Sequence, residues 1–299
     1  MIERISKLKK EKNAIILAHY YTPSEVQELA DFVSDSYYLA KVASGTDASI
    51  IVFCGVKFMG ESAKILNPDK KVLMPDLSAD CAMAHMASAE TIKKLRSQYD
   101  DLAVVCYINS TAELKTMSDV CVTSSNAVKI VKSLPNKNIF FIPDRNLGKF
   151  VADKVSEKNF IFNDGCCPVH AELSPKTVLA EKKAHPDAKV LSHPECQPSV
   201  LELSDFIGST ADIIKYANES DGKEFIVCTE SGVGYELSSK NPDKKFYFAG
   251  GEICCADMKL GTPEKILHVL ETEENQVEID EETRKNALKP LEKMLELAK

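Results

Sequence analysis

Residues 19–36 read HYYTPSEVQELADFVSDS, and the same kind of stretch occurs twice more. Residues 107–124 are YINSTAELKTMSDVCVTS, and residues 193–210 are HPECQPSVLELSDFIGST. The three align without a gap. Their first residues, His19, Tyr107 and His193, lie 88 and 86 residues apart. Each stretch carries an acid at one shared position, Asp31, Asp119 or Asp205, and each ends five residues later in a hydroxyl, Ser36, Ser124 or Thr210. Solenoid repeats run to a few tens of residues, so a period this long marks a whole small domain.

The likeness extends outward in both directions. An amphipathic helical stretch and a short apolar run (IILA, AVVC, AKVLS) precede each start. After each hydroxyl come a helical stretch, a second apolar run (SIIVFCG, NIFFIPD, EFIVCTE), another helix, a last short strand (KVLMPD, NFIFND, KKFYFAG) and a cysteine. Those cysteines are Cys81, then Cys166 or Cys167, then Cys254 or Cys255; with the second of each doublet they lie 86 and 88 residues apart. Each repeat therefore reads α-β-α-β-α-β-α-β. Short, continuously apolar strands alternating with helices predict parallel sheets buried on both faces. The expected fold is α/β: three sandwich domains related by a pseudo-threefold axis around a central site, spanning residues 1–86, 87–172 and 173–261. Residues 262–299 are expected as a helical tail packed on the body, one helix starting at Thr262-Pro263 and a second covering Glu281–Ala298.

Composition narrows the function. Hydrophobic residues make up 44% and charged residues 27%, the profile of a globular protein, and the net charge of −8 argues against a nucleic-acid surface. The first residues, MIERISKLKKEKN, hold no signal-peptide-like apolar stretch, and no apolar run approaches a membrane span. A cytoplasmic enzyme with no membrane or nucleic-acid partner is expected. Ten cysteines without a secretion signal point to thiols in a reducing compartment, packed or bound to metal. No C-x-x-C occurs. Each Cys-Cys doublet is expected to hold one ligand and one packed thiol.

In open parallel sheets ligands bind beyond the carboxyl ends of the strands. His19, Tyr107 and His193 follow the first strand of each repeat, the hydroxyls follow the second, and the cysteines follow the last. Ser36, Ser124 and Thr210 are expected to N-cap helices whose free N–H groups suit carboxylate or phosphate, with simple capping as the equal alternative. Asp31, Asp119 and Asp205 are assigned to fixing the strand starts. Cys54, Cys106, Cys121, Cys228 and Cys196 read as core. Cys81, Cys167 and Cys255 lie in polar or glycine-containing loops, one per repeat, and suit either a 4Fe–4S cube with one iron left open or a three-cysteine zinc. His170 stands three residues after Cys167, and Glu195, in HPEC, is placed to act as a general base.

The strings ILAHYYTPSEVQELADFVSDS, FMGESAKILNPDKKVLMPD, CAMAHM, YINSTAELK, VTSSNA, PDRNLG, CPVH, HPEC and GST, in this order, resemble the quinolinate synthase family over nearly the whole chain. The resemblance implies three pseudo-symmetric α/β domains and one 4Fe–4S cluster per chain on Cys81, Cys167 and Cys255, its fourth iron open to substrate. It implies a substrate pocket of His19, Tyr21, Ser36, Tyr107, Ile108, Asn109, Ser124, His170, His193, Pro194, Glu195 and Thr210, with Glu195, Tyr21, His19 and His193 as the catalytic candidates. The implied reaction condenses iminosuccinate with dihydroxyacetone phosphate to quinolinate, phosphate and two waters in NAD biosynthesis. The implied partner is an L-aspartate-oxidising enzyme that supplies the unstable imine. Two positions depart from the family's usual residues: Tyr20 and His85 stand where asparagine is common. Two other readings stay open, a different open-iron hydro-lyase and a binding or redox-sensing protein with purely structural cysteines.

Overall fold

The computed structural model describes residues 1–299. The first unit runs α1 (Ile2–Glu11), β1 (Ala14–His19), α2 (Ser24–Leu29), β2 (Phe32–Ser34), α3 (Ser36–Gly45), β3 (Ile50–Cys54), α4 (Lys57–Leu66) and β4 (Lys71–Leu73). The second runs α5 (Ala89–Gln98), β5 (Leu102–Tyr107), α6 (Ala112–Thr116), β6 (Val120–Val122), α7 (Ala127–Ser133), β7 (Asn138–Ile142), α8 (Arg145–Lys154) and β8 (Asn159–Phe162). After a short helix α9 (Pro168–Ala171), the third runs α10 (Pro175–Ala184), β9 (Lys189–Ser192), α11 (Pro198–Leu201), β10 (Phe206–Ile207), α12 (Thr210–Glu219), β11 (Glu224–Cys228), α13 (Val233–Lys240) and β12 (Lys245–Phe248). The alternation read from the sequence holds in all three.

Each unit holds one four-stranded sheet, all parallel, with the same order: β2-β1-β3-β4, β6-β5-β7-β8 and β10-β9-β11-β12. The central strands are buried on both faces because they are runs of branched and aromatic residues. All five residues of β3 and all six of β5 are buried. The chain leaves the first strand of each unit to one side and returns to its other side. This is the switch point where open α/β sheets form a ligand crevice.

The three repeated aspartates do the structural work assigned to them. The carboxylates of Asp31, Asp119 and Asp205 accept the N–H of Ile16, Val104 and Val190 at 2.8, 2.7 and 2.7 Å, and their own N–H groups donate to the carbonyls of the same three residues. Each aspartate thereby pins the start of an edge strand to its neighbour. Two helices end the chain, α14 (Pro263–Thr272), capped by Thr262, and α15 (Glu281–Leu297). The first packs on α1; the second lies over α4 of the first unit and α6 and β6 of the second. No helix is long and apolar enough to cross a membrane.

Candidate functional site

The loops after β1, β5 and β9 are tied down by the same local device. The residue three positions past each start turns back on it. Thr22 donates its N–H to the His19 carbonyl (3.0 Å), the Ser110 hydroxyl donates to the Tyr107 carbonyl (3.0 Å), and the Cys196 N–H donates to the His193 carbonyl (3.0 Å). The tight turns bring His19, Tyr107 and His193, and the residues two further on, into a cavity of about 400 Å³. Its walls also include Ser36, Ser124 and Thr210, so nine residues expected at the site share one space. Ile108 and Pro194 do not line it; they lie beneath, as backbone between lining neighbours.

A second cavity of about 430 Å³ adjoins the first. It is lined by Cys81, Cys167 and Cys255, with His170 and Glu230. The two cavities share Tyr21, Asn109, Glu195 and Met258. The first three of these are register-equivalent, each two residues past the repeat start. One phenol, one amide and one carboxylate thus divide the hydroxyl-lined space from the thiol-lined space.

Three sequence expectations need correction. Ser36 and Thr210 do not cap helices; each is the first helical residue, and the caps are Asp35, accepting from Tyr38 N–H, and Ser209, accepting from Asp212 N–H. Ser124 stands three residues before the first residue of α7, and Asn126 stands at the cap position. The cap residue's carboxylate or hydroxyl turns back onto the helix, which leaves the next hydroxyl free for the cavity. The doublets were expected to pair a ligand with a packed thiol, but Cys254 is exposed and Cys166 only half-buried.

Each cysteine of the trio begins a short helical turn: Cys81 before Ala82–His85, Cys167 before α9, and Cys255 just before Asp257–Lys259. The nearby backbone N–H groups of Ala84, His170 and Met258, each three residues on, favour thiolate. Burial outweighs them and raises all three thiols, that of Cys81 to about 12, so proton release has to be coupled to ligation. The three sulfurs do not all lie within 4.8 Å of one another; Cys167, His170 and Glu195 are the only such trio. Sulfurs around one tetrahedral zinc sit about 4 Å apart, given Zn–S bonds near 2.3 Å. At least one sulfur–sulfur distance therefore exceeds the spacing around a single tetrahedral zinc.

The polar network of the first cavity is continuous. The Tyr21 hydroxyl lies 2.8 Å from both Thr210 Oγ1 and Thr229 Oγ1, and Thr229 Oγ1 lies 2.9 Å from His170 Nε2. Glu195 Oε2 lies 3.0 Å from His170 Nδ1 and 3.2 Å from His193 Nδ1. The His170 contact is close but not aligned for a hydrogen bond. Burial works to raise the Glu195 carboxyl, but His170 and His193 outweigh it and hold it well below the usual glutamate range. His19 accepts the backbone N–H of Tyr21 at Nδ1 (3.2 Å), so its neutral ring carries the proton on Nε2. His193 Nδ1 faces both the Glu195 N–H (3.3 Å) and the Glu195 carboxylate, and its Nε2 lies 3.2 Å from Ser124 Oγ. Burial pushes both rings down, against the pull of Glu195 on His193, and, aided by His193 and Lys259, takes His19 to about 3. Burial also lifts the Tyr21 and Tyr107 phenols far above their usual value, so both stay protonated. Asn109 Oδ1 and Glu195 Oε1 are buried and have no partner within the protein.

Sequence reasoning passed over Glu230, Thr229, Asp35, Thr123, Met59 and Met258, although these residues line the cavities or join their network. A signal existed for Glu230, which stands at the repeat spacing from Asp144.

Residues 3–296 match the family model described as Quinolinate synthetase A protein. The chain belongs to this family. Relatives named quinolinate synthase agree over essentially full length. That of Clostridioides difficile (strain 630) is 50% identical over 295 residues, 99% of this chain and 97% of the relative. That of Fusobacterium nucleatum subsp. nucleatum is 53% identical over 298 residues, 100% of this chain and 99% of the relative. That of Caldicellulosiruptor bescii is 52% identical over 293 residues, 98% of this chain and 97% of the relative. Members of the family are enzymes, and this chain is one.

Proposed function

We propose that the protein is a cytoplasmic quinolinate synthase that condenses iminosuccinate with dihydroxyacetone phosphate, releasing phosphate and two waters. One observation carries this reading. Register-equivalent residues from three units form a hydroxyl-lined cavity and a thiol-lined cavity that share Tyr21, Asn109 and Glu195 as their common wall. A dicarboxylate and a phosphate ester need several hydrogen-bond donors in a net-acidic protein, and the first cavity supplies them locally. Ser36 and Thr210 stand at the starts of ten-residue helices, where free N–H groups and the helix dipole favour anions. The Nε2–H group of neutral His19 adds a donor without a competing positive charge.

Cys81, Cys167 and Cys255 would hold a 4Fe–4S cluster, which when bound supplies an open iron as a Lewis acid for loss of a hydroxyl. The chain's own residues handle binding and protons. Glu195, ionised and backed by His170 and His193, takes protons as general base. The Tyr21 phenol, held by Thr210 and Thr229, stays protonated and can donate. Asn109 Oδ1, lacking an internal partner, accepts from the substrate nitrogen. The catalytic units are drawn as residues 1–86, 87–172 and 173–261, with 262–299 as the tail. A transient contact with an L-aspartate-oxidising enzyme fits the instability of the imine.

The test is an anaerobic quinolinate assay with iminosuccinate generated in situ, with and without dihydroxyacetone phosphate. Quinolinate is expected only with both substrates, alongside about four irons per chain. Cys81→Ser should abolish both iron and product, while Cys254→Ser, at an exposed thiol, should keep them. Turnover of a hydroxy acid without triose phosphate would move the protein to the hydro-lyase class instead.

A further inference from the structure

Two residues beyond the third strand of each unit stand Val56, Asp144 and Glu230, equivalent by the repeat spacing. Asp144 and Glu230 are 0% and 1% exposed. Asp144 Oδ2 accepts the backbone N–H of Cys167 at 3.0 Å, and Glu230 Oε1 accepts that of Cys255 at 3.1 Å. Val56 has no oxygen to offer. In the first unit the N–H of Cys81 is accepted instead by Asp80 Oδ1, at 2.8 Å. Each cysteine of the trio thus has its backbone held by a carboxylate, yet the carboxylates do not all come from one repeated position. A relic of duplication would keep the position whether or not the contact survived. Here the first unit has lost the position and kept the contact.

The two buried acids also anchor what surrounds them. Asp144 Oδ1 takes the N–H of Leu147 (2.7 Å) and so starts α8. Glu230 Oε2 takes the N–H of Gly232 (2.7 Å). Lys259, four residues past Cys255, pairs with Glu230 at 2.8 Å and donates to the Tyr21 carbonyl at 2.5 Å. A side chain at Gly232 would collide with Glu230, Lys259 and Tyr21 at once, which shows how closely these loops approach.

We infer that Asp80, Asp144 and Glu230 are positioning residues for the cofactor ligands, each fixing a cysteine loop by accepting its backbone N–H. The inference rests on the reading that the three cysteines hold a cluster. Groups just outside a metal's ligands orient them, and their loss typically costs about 10–100-fold in affinity. The full-length protein, reconstituted anaerobically, is assayed for iron and sulfide per chain and for bleaching of its visible absorption under excess chelator. Asp80→Ala, Asp144→Val and Glu230→Val remove the acceptor; Asp80→Asn, Asp144→Asn and Glu230→Gln keep an oxygen that can take the N–H. The acceptor-less variants should bleach at least about tenfold faster than wild type, and the amide variants should stay near it. Far-UV circular dichroism monitors folding. Asp80 sits in a part-exposed loop, so its pair of variants decides the matter even where a buried valine prevents folding. Wild-type bleaching in Asp80→Ala, or equal bleaching in an amide variant and its apolar counterpart, overturns the inference alone. A wild type that takes up no cluster overturns the proposed cofactor and this inference with it.

Discussion

The two ends of the candidate site are built from the same three repeats and carry different side chains. At the hydroxyl end the repeats agree: Ser36, Ser124 and Thr210 offer one functional group three times. At the wall facing the cysteines they diverge: Tyr21, Asn109 and Glu195 offer a phenol, an amide and a carboxylate from equivalent positions. Anion binding tolerates symmetry, because any donor serves any oxygen. Proton transfer does not, because an acid and a base must differ. Duplication supplied the frame, and divergence two residues past each start supplied the chemistry.

The comparison breaks most sharply at the wall. Glu195→Gln keeps the shape of the site and removes its base, so turnover should fall by roughly two or more orders of magnitude. Iron content and melting temperature should hold. A near-normal rate would leave the wall without its assigned base. At the hydroxyl end the effect should be smaller and similar in each unit. Ser36→Ala or Ser124→Ala should weaken binding of a dicarboxylate analogue by about 1–3 kcal/mol, the range for a hydrogen bond to a charged group. Neither residue is the cap, so melting should barely move, whereas Asp35→Ala should lower stability by about 1 kcal/mol through the lost cap. Unchanged affinity in both serine variants would remove the hydroxyl end from the binding site.

The last test concerns pH. His19 titrates near 3 in the fold and near 6.5 when unfolded, because burial disfavours its charge. Between those values the unfolded chain binds the extra proton, so this group's contribution is complete above about pH 6.5 and is lost as pH falls toward 3. His19→Asn should flatten that part of the melting-temperature profile. An unchanged slope would mean that other groups set the acid limit.

The fold was legible because the repeat is long, ungapped and carries its own strand and helix signals. The positions of His19, Tyr107, His193, the three hydroxyls and the three cysteines followed from register. Two helix caps were misread by one residue and the third, Asn126 in place of Ser124, by two. Asp35-Ser36 and Ser209-Thr210 each present two competent caps in a row, and only the backbone angle at the junction decides which one turns inward. Glu230 escaped notice because EFIVCTE reads as a strand end, and the carboxylate's task is to hold a loop 25 residues away. Such a contact leaves no local pattern. The division of labour at Asp80 was hidden for the opposite reason, since Val56 interrupts the equivalence that would have exposed it.

The shared cavity has a consequence for how the protein is made. The thiol set draws one member from each third of the chain, so no growing fragment holds it complete until Cys255 has been synthesised. The helix α15, which bridges α4 and α6, follows later still in the chain. On the proposed reading, a cofactor delivered before Cys255 emerges would find two thiols where it needs three. A chain truncated before residue 281 would lack the helix that straps its first two units together.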